Sequence, residues 1–273
     1  MQDQHHIHAV APRLWPRCTK VELRDGLLFC ALNVDRQYDL VDAYRKDPHV
    51  QFMNCEKVDD LVNFTRAWGP LHLVLAPSDI TRGRAVRRLD ECQAHQKWLR
   101  AARRLIDVCR GRGDWRVSLV EFLSAESEID RTSNVYNPGR APFLHQALQL
   151  EFQFQVDPTT WTASADIGSV QRAAIFCVEV MVKGPRGGLR VEREGRGFEV
   201  TPSFELPTLW DALTWMLWYD EWNQRPPRAC LECRRIFRPP TAHDRKYCSY
   251  ECAHRVTNRK WRRKDLRKKR AKR

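Results

Sequence analysis

Four cysteines near the carboxyl end carry the strongest chemical signal in the chain. They fall in two tight pairs, Cys230-Leu-Glu-Cys233 and Cys248-Ser-Tyr-Glu-Cys252, separated by fourteen residues. Four thiolates can surround one Zn²⁺ ion tetrahedrally at about 2.3 Å, and a site closed in this way is structural rather than catalytic. The same residue types also serve as small buried hydrophobes or as two disulfides. The paired spacing favours the metal. The other six cysteines show no such pairing, and no charged start followed by an apolar segment marks a secretory leader. His243 and His254 lie close enough in sequence to be substitute ligands, but four thiols already complete a site.

These cysteines need elements that aim them at one point. A pair spaced by two residues fits a knuckle turn that puts both sulfurs on one side of the backbone. A pair spaced by three fits the first turn of a helix, where positions i and i+4 share a face. Between the pairs, Arg234-Arg235-Ile236-Phe237 supplies the first strand of a short hairpin, punctuated by Pro239 and Pro240. The expected order is knuckle, hairpin, helix: a treble-clef-like zinc finger around one structural Zn²⁺. No proline or glycine interrupts the chain after Cys252, so the helix runs on through a basic segment. Residues 253–273 hold 12 Lys or Arg against one acid, Asp265. Such density attracts phosphates and releases condensed counterions on binding. The candidate nucleic-acid contacts are Arg255, Arg259, Lys260, Arg262, Arg263, Lys264, Arg267, Lys268, Lys269 and Arg270. Val256 and Lys260 share a face that is expected to pack back on the knuckle. Trp261, the one aromatic there, either stacks on a base or covers the metal module.

Residues 230–263, about an eighth of the chain, resemble the CGNR-type zinc finger of bacterial transcription regulators. That pattern has a first cysteine pair, a Phe, an aromatic-Cys-Ser step, then a cysteine opening a Cys-Gly-Asn-Arg tetrad before basic residues. Phe237, Tyr247-Cys248-Ser249 and Cys252-Ala253-His254-Arg255 occupy these places. Ala253 and His254 depart from the family's Gly and Asn, and Tyr247 from its usual Trp. The stretch Leu61 to Leu71, with Phe64, Trp68 and Gly69, is similar to a pattern in the N-terminal halves of such proteins. The resemblance implies a finger that binds DNA.

The net charge of +13 is local. Residues 225–273 carry 19 basic and 4 acidic side chains, whereas the first 224 carry 28 and 30. A near-neutral body is therefore tied to a strongly basic end, and two domains are expected: 1–224, with a sub-boundary near 131–142, and 225–273. The His5, His6 and His8 cluster near the start is given no role. There is no run of about 18 apolar residues that would span a membrane.

The body reads as α+β, with mixed helices and hairpins. Val21 and Leu23, the turn Asp25-Gly26, and Leu27 to Val34 predict a hairpin. A short helix is expected over 35–44, a brief strand over 50–53, and a helix from Asp59 to Trp68 ended by Gly69-Pro70. Ser78-Asp79 opens the longest expected helix, to Cys109, closed by Gly111-Arg-Gly113, and helical residues continue from 119 to 129. Leu148 to Val156 and the apolar run Ala173 to Val182 predict strands. Gly187 to Val200 predicts a second hairpin. Thr208 caps an aromatic helix, Trp210 to Trp222, that is expected to dock the finger across the stiff Pro226-Pro227 linker.

No catalytic residue is nominated. Phosphate-cradling glycine loops, Gly-x-Ser-x-Gly and His-Glu-x-x-His are all absent from the sequence. Glu91 and His95, four apart, read as a solvated helix edge rather than a metal or acid–base pair. Cys30, Cys55, Cys92, Cys109 and Cys177 read as inert thiols. The expectation is a zinc-dependent DNA-binding protein, a bacterial transcription regulator in the cytoplasm at the nucleoid. Its body would sense a small-molecule ligand or form a homodimer. The alternative is an RNA-binding protein or a nucleic-acid-modifying enzyme that uses the finger as a targeting arm.

Overall fold

The computed structural model describes residues 17–33, 40–71, 83–132, 158–182, 187–194, 197–204, 206, 208–222, 226–240 and 245–271. The expected strand at 148–156 and the loop 133–142 lie outside these residues.

The first hairpin forms as its turn residues dictate. Strands β1 (Arg17–Arg24) and β2 (Leu27–Asn33) pair antiparallel. Both turn residues take left-handed angles, Asp25 at φ 51° and Gly26 at φ 74°, as a two-residue primed turn requires. Leu28 and Cys30 alternate into the core. A third strand, β3 (Arg84–Arg88), completes the sheet on β2. Helix had been expected there from Ser78 onward. Residues 84–88 instead satisfy the open hydrogen-bonding edge of β2, with only Ala85 buried, and helix begins at Leu89.

That helix, α4 (Leu89–Cys109), is the spine of the body and follows α1 (Leu40–Arg45), α2 (Pro48–Met53) and α3 (Val58–Trp68). Trp98, Leu99, Ala102, Leu105 and Val108 recur at helical spacing and are buried. Left-handed Gly111 follows it, its amide donating to the Val108 carbonyl at 2.8 Å. The chain reverses into α5 (Trp115–Thr132), which runs antiparallel along α4: Lys97 meets Glu128, Trp98 meets Glu126 and Arg104 meets Glu121.

Two expected strands are helices. Residues 50–53 belong to α2, where Pro48 sits in the first turn, a position that needs no amide donor. Residues 173–182 belong to α7 (Ile167–Val182), which follows α6 (Pro158–Ser164). Val170, Ala173, Ala174 and Cys177 are fully buried, whereas Ile175 is exposed. That period of three and four is a helix with one face on the core. Helix α3 starts at Val58, and Asp60 accepts hydrogen bonds from the Lys57 and Glu56 amides.

The second hairpin, β4 (Gly187–Glu194) with β5 (Gly197–Phe204), forms as expected. Thr208 caps α8 (Leu209–Trp222) as expected: its hydroxyl accepts from the Asp211 amide at 3.1 Å, and Asp211 accepts from the Thr208 amide at 3.1 Å. One hydrophobic cluster joins the sheet, α2 to α5, α7 and α8, and it extends to Ile236 beyond Pro226-Pro227. Among the described residues no helix is long and apolar enough to cross a membrane.

Candidate metal centre and its basic helix

After Pro227 come two-residue strands, β6 (Arg228–Ala229) and β7 (Ile236–Phe237), paired antiparallel. The first cysteine pair lies in the turn between them. Arg234–Phe237 was expected to open a hairpin after the knuckle; instead Ile236 and Phe237 close one around it. Local bonding explains this: the Cys230 amide donates to the Arg235 carbonyl, and the Arg234 amide donates to the Cys230 carbonyl, both at 2.9 Å. Arg234 takes φ 60° to make the turn. Cys248 stands just before α9 (Tyr250–Ala271), and Cys252 lies in its first turn. Ser249 caps that turn, its hydroxyl accepting from the Cys252 amide at 3.3 Å.

The four sulfurs converge. Cys233 and Cys248 Sγ are 3.5 Å apart, Cys248 and Cys252 Sγ are 3.6 Å apart, and all four lie within 4.8 Å of one another. A tetrahedral ion with metal–sulfur bonds of about 2.3 Å places its ligands ~3.8 Å apart, so these residues can hold one metal ion. Burial pushes the Cys230 thiol up, but the amides of Cys233, Cys248 and Glu232 outweigh it and bring the pKa down to about 7. Burial and the neighbouring thiols push Cys248 up to about 12 and also raise Cys233. Sulfurs this close resist ionising together unless a cation sits among them. His254 is no ligand: it stacks on Tyr250 at 5.6 Å and its Nδ1 meets the Asn258 amide at 3.3 Å. His243 lies outside the described residues.

Helix α9 carries the basic segment. Arg255, Arg259, Lys260, Arg262 and Arg263 are exposed, and Lys264, Arg267, Lys268, Lys269 and Arg270 continue on the same helix. Val256 packs in part, but Lys260 does not join it. Trp261 does not cover the module, being 68% exposed, and Tyr250 is 73% exposed. Arg259 pairs with Glu232 of the knuckle, which ties the third helical turn to the first cysteine pair.

Beside the buried Ile236, three polar ties join this region to the body. The Asn54 side chain acts as a short extension of the β6–β7 ladder: it donates to the Ile236 carbonyl at 2.7 Å and accepts from the Ile236 amide at 2.9 Å. Asp107, ion-paired to the fully buried Arg103, accepts from the Ala229 amide at 3.0 Å. Arg238 is the third tie. It donates to Asp47 at 2.6 Å and to Asp220 at 2.7 Å, with its guanidinium 5.6 Å from the Tyr44 ring centre. Asp220 is fully buried and also meets His49 at 2.6 Å and the Tyr44 hydroxyl at 2.5 Å. Burial alone would raise the Asp220 carboxyl, but His49, Arg238 and Tyr44 hold it below the usual carboxylate value.

The sequence reading missed His49, Asn54, Asp220 and Arg238, which lie up to 189 residues apart and carry no local spacing signal. Trp210, at the start of the aromatic stripe of α8, packs inward on His95 and Trp98 at 4.7 and 5.4 Å, and α8 contributes Asp220 to the seam through Arg238. Glu91 and His95 are buried rather than at a solvated edge, with His95 Nδ1 bonded to the Glu91 carbonyl at 2.7 Å. Burial pushes the Cys55 and Cys92 thiols up to about 12 and raises Cys177 and Cys109, as inert thiols require. Comparisons with family models, with curated proteins and with solved structures give no match.

Proposed function

We propose that this chain is a zinc-dependent DNA-binding protein, a transcription regulator whose finger sets a basic helix against the phosphate backbone. The observation that carries this reading is the convergence of Cys230, Cys233, Cys248 and Cys252 at the root of α9. Zinc suits four thiolates in tetrahedral array. Bound there, it joins the knuckle to the start of the helix, a region whose own core is too small to do so unaided. The exposed Arg255, Arg259, Arg262 and Arg263 then act chiefly on phosphates, where arginine's fork donates two hydrogen bonds at once. The likeness to CGNR-type fingers, in its cysteine spacing, Phe237 and Arg255, points the same way. The body, in this reading, senses a ligand or mediates assembly.

A second reading is favoured by one observation. Tyr250 and Trp261 lie eleven residues apart on one face of α9 and both are exposed, and open aromatic rings on a basic surface stack unpaired bases. An RNA-binding protein, or a nucleic-acid-modifying enzyme using the finger as an arm, would use them so. Binding to duplex DNA, single-stranded DNA and structured RNA at several salt concentrations separates the two. Replacing Cys233 by Ser tests the metal's role: zinc retention and nucleic-acid binding are expected to fall together. Cobalt substituted in the wild-type protein should show sulfur-to-metal charge-transfer bands. Full binding by metal-free protein would overturn the proposal.

A further inference from the structure

A cleft of about 490 Å³ lies where the finger meets the body. One wall is the end of α4, the Gly111–Gly113 turn and the start of α5; the other is β6, the knuckle and the residues before Cys248. Seven basic and three acidic side chains line it. The body contributes Arg104, Arg110 and Arg112, and the finger Arg234, Arg245 and Lys246 among others.

All three acids are already engaged within the protein. Asp107 holds Arg103 and the Ala229 amide. Glu121 is shared by Arg104 and Arg234 at 2.8 and 2.9 Å. Asp114 caps α5 through the Val117 amide at 3.1 Å. The basic groups are engaged too: Arg110 pairs with Glu221, which also holds Arg103, and Arg112 lies 3.7 Å from Asp107. Counted with Arg103 and Glu221, eight basic groups stand against four acids, so the cleft keeps a surplus of four positive charges. Such a place suits an anion whose oxygens accept from several guanidinium groups, which is the chemistry of a phosphate ester.

The position of the cleft says which phosphate ester. Leu231 forms part of its finger wall, and the next residue, Glu232, binds Arg259 of α9. The cleft and the basic helix thus adjoin the same knuckle. A polyanionic strand can engage both at once, whereas a free anion engages the cleft alone. We propose that the cleft seats backbone phosphates of the same nucleic acid that α9 binds, so that body and finger form one binding surface and Arg110 and Arg112 are nucleic-acid contacts. This rests on the nucleic-acid reading above. It goes beyond that reading by assigning part of the recognition to the body.

The test uses the full zinc-loaded chain and a labelled duplex over a series of salt concentrations. Three variants are compared with wild type: a body variant, Arg110→Gln with Arg112→Gln; a finger-wall variant, Arg245→Gln with Lys246→Gln; and an arm variant, Arg255→Gln with Arg262→Gln. Each lost phosphate contact lowers the slope of log affinity against log salt by about 0.9 on duplex DNA. Each pair is expected to lower it by about 2, with affinity falling at least tenfold at low salt. A weakened arm variant beside a body variant with wild-type slope and affinity would overturn the cleft and leave the helix intact. A wild-type chain that binds no nucleic acid would remove the functional reading itself. A second measurement is independent of folding in the variants. Acylation of Lys246 in the wild-type protein is expected to slow when duplex is added. No protection, or equal protection by inorganic phosphate at matched phosphate concentration, would overturn the proposal.

Discussion

Replacing Arg238 by Met should loosen the finger from the body by a calculable amount. The methionine keeps most of the apolar stem and removes the charge. Three hydrogen bonds to Asp47 and the one to Asp220 disappear. Removing one partner of a buried ion pair typically costs about 3–5 kcal/mol, because the other charge is left without compensation. Two features reduce that here. The guanidinium side chain is 24% exposed, and Asp220 keeps His49 and Tyr44. A loss of about 2–3 kcal/mol is the reasoned value. For a chain of this size that corresponds to a fall in Tm of roughly 4–10 °C. Thermal unfolding followed by circular dichroism, with zinc saturating, measures it. Hydrogen exchange should locate it, with the Ile236 and Ala229 amides losing protection before those of α4. A change in Tm below about 1 °C, or a loss spread evenly over the body, would refute the idea that this ion pair latches finger to body.

Two further outcomes test the same seam. Asp220 has a folded-state pKa below the unfolded carboxylate value of about 3.9. Its stabilisation is therefore complete above that pH and is lost as pH falls through the lower folded value. Wild type should lose stability below about pH 4 more steeply than Asp220→Asn, which acid titration of the unfolding free energy would show; parallel curves would contradict it. Asn54→Ala strands both the amide and the carbonyl of Ile236, and should cost about 2 kcal/mol in denaturant titration. A cost below about 0.5 kcal/mol would mean that water replaces the side chain at no loss.

Where the sequence reading erred, the cause is physical. The run Ala173 to Val182 is apolar but for Glu179, so its period is hidden, and a buried helix and a buried strand look alike at that length. Only packing against α4 and α5 selects the helix. Residues 84–88 have no intrinsic reason to leave a helix; the unpaired edge of β2 supplies one. Asp25-Gly26 and Thr208 behaved as read because their conformations are set by immediate neighbours, a primed turn in one case and a reciprocal cap in the other.

The same division runs through the functional region. Spacing by itself determined that Cys230, Cys233, Cys248 and Cys252 gather, since a knuckle and a helical turn each place two sulfurs within a few residues. It also determined that the positive charge is concentrated at one end, because counting needs no coordinates. The tertiary structure alone decided that Asp220 and His49 meet Arg238, that Asn54 extends the β6–β7 ladder, and that arginines from α4 and the following turn face Arg245 and Lys246 across one cleft. Contacts between residues more than a hundred positions apart arise from how helices pack, and no local pattern along the chain encodes them.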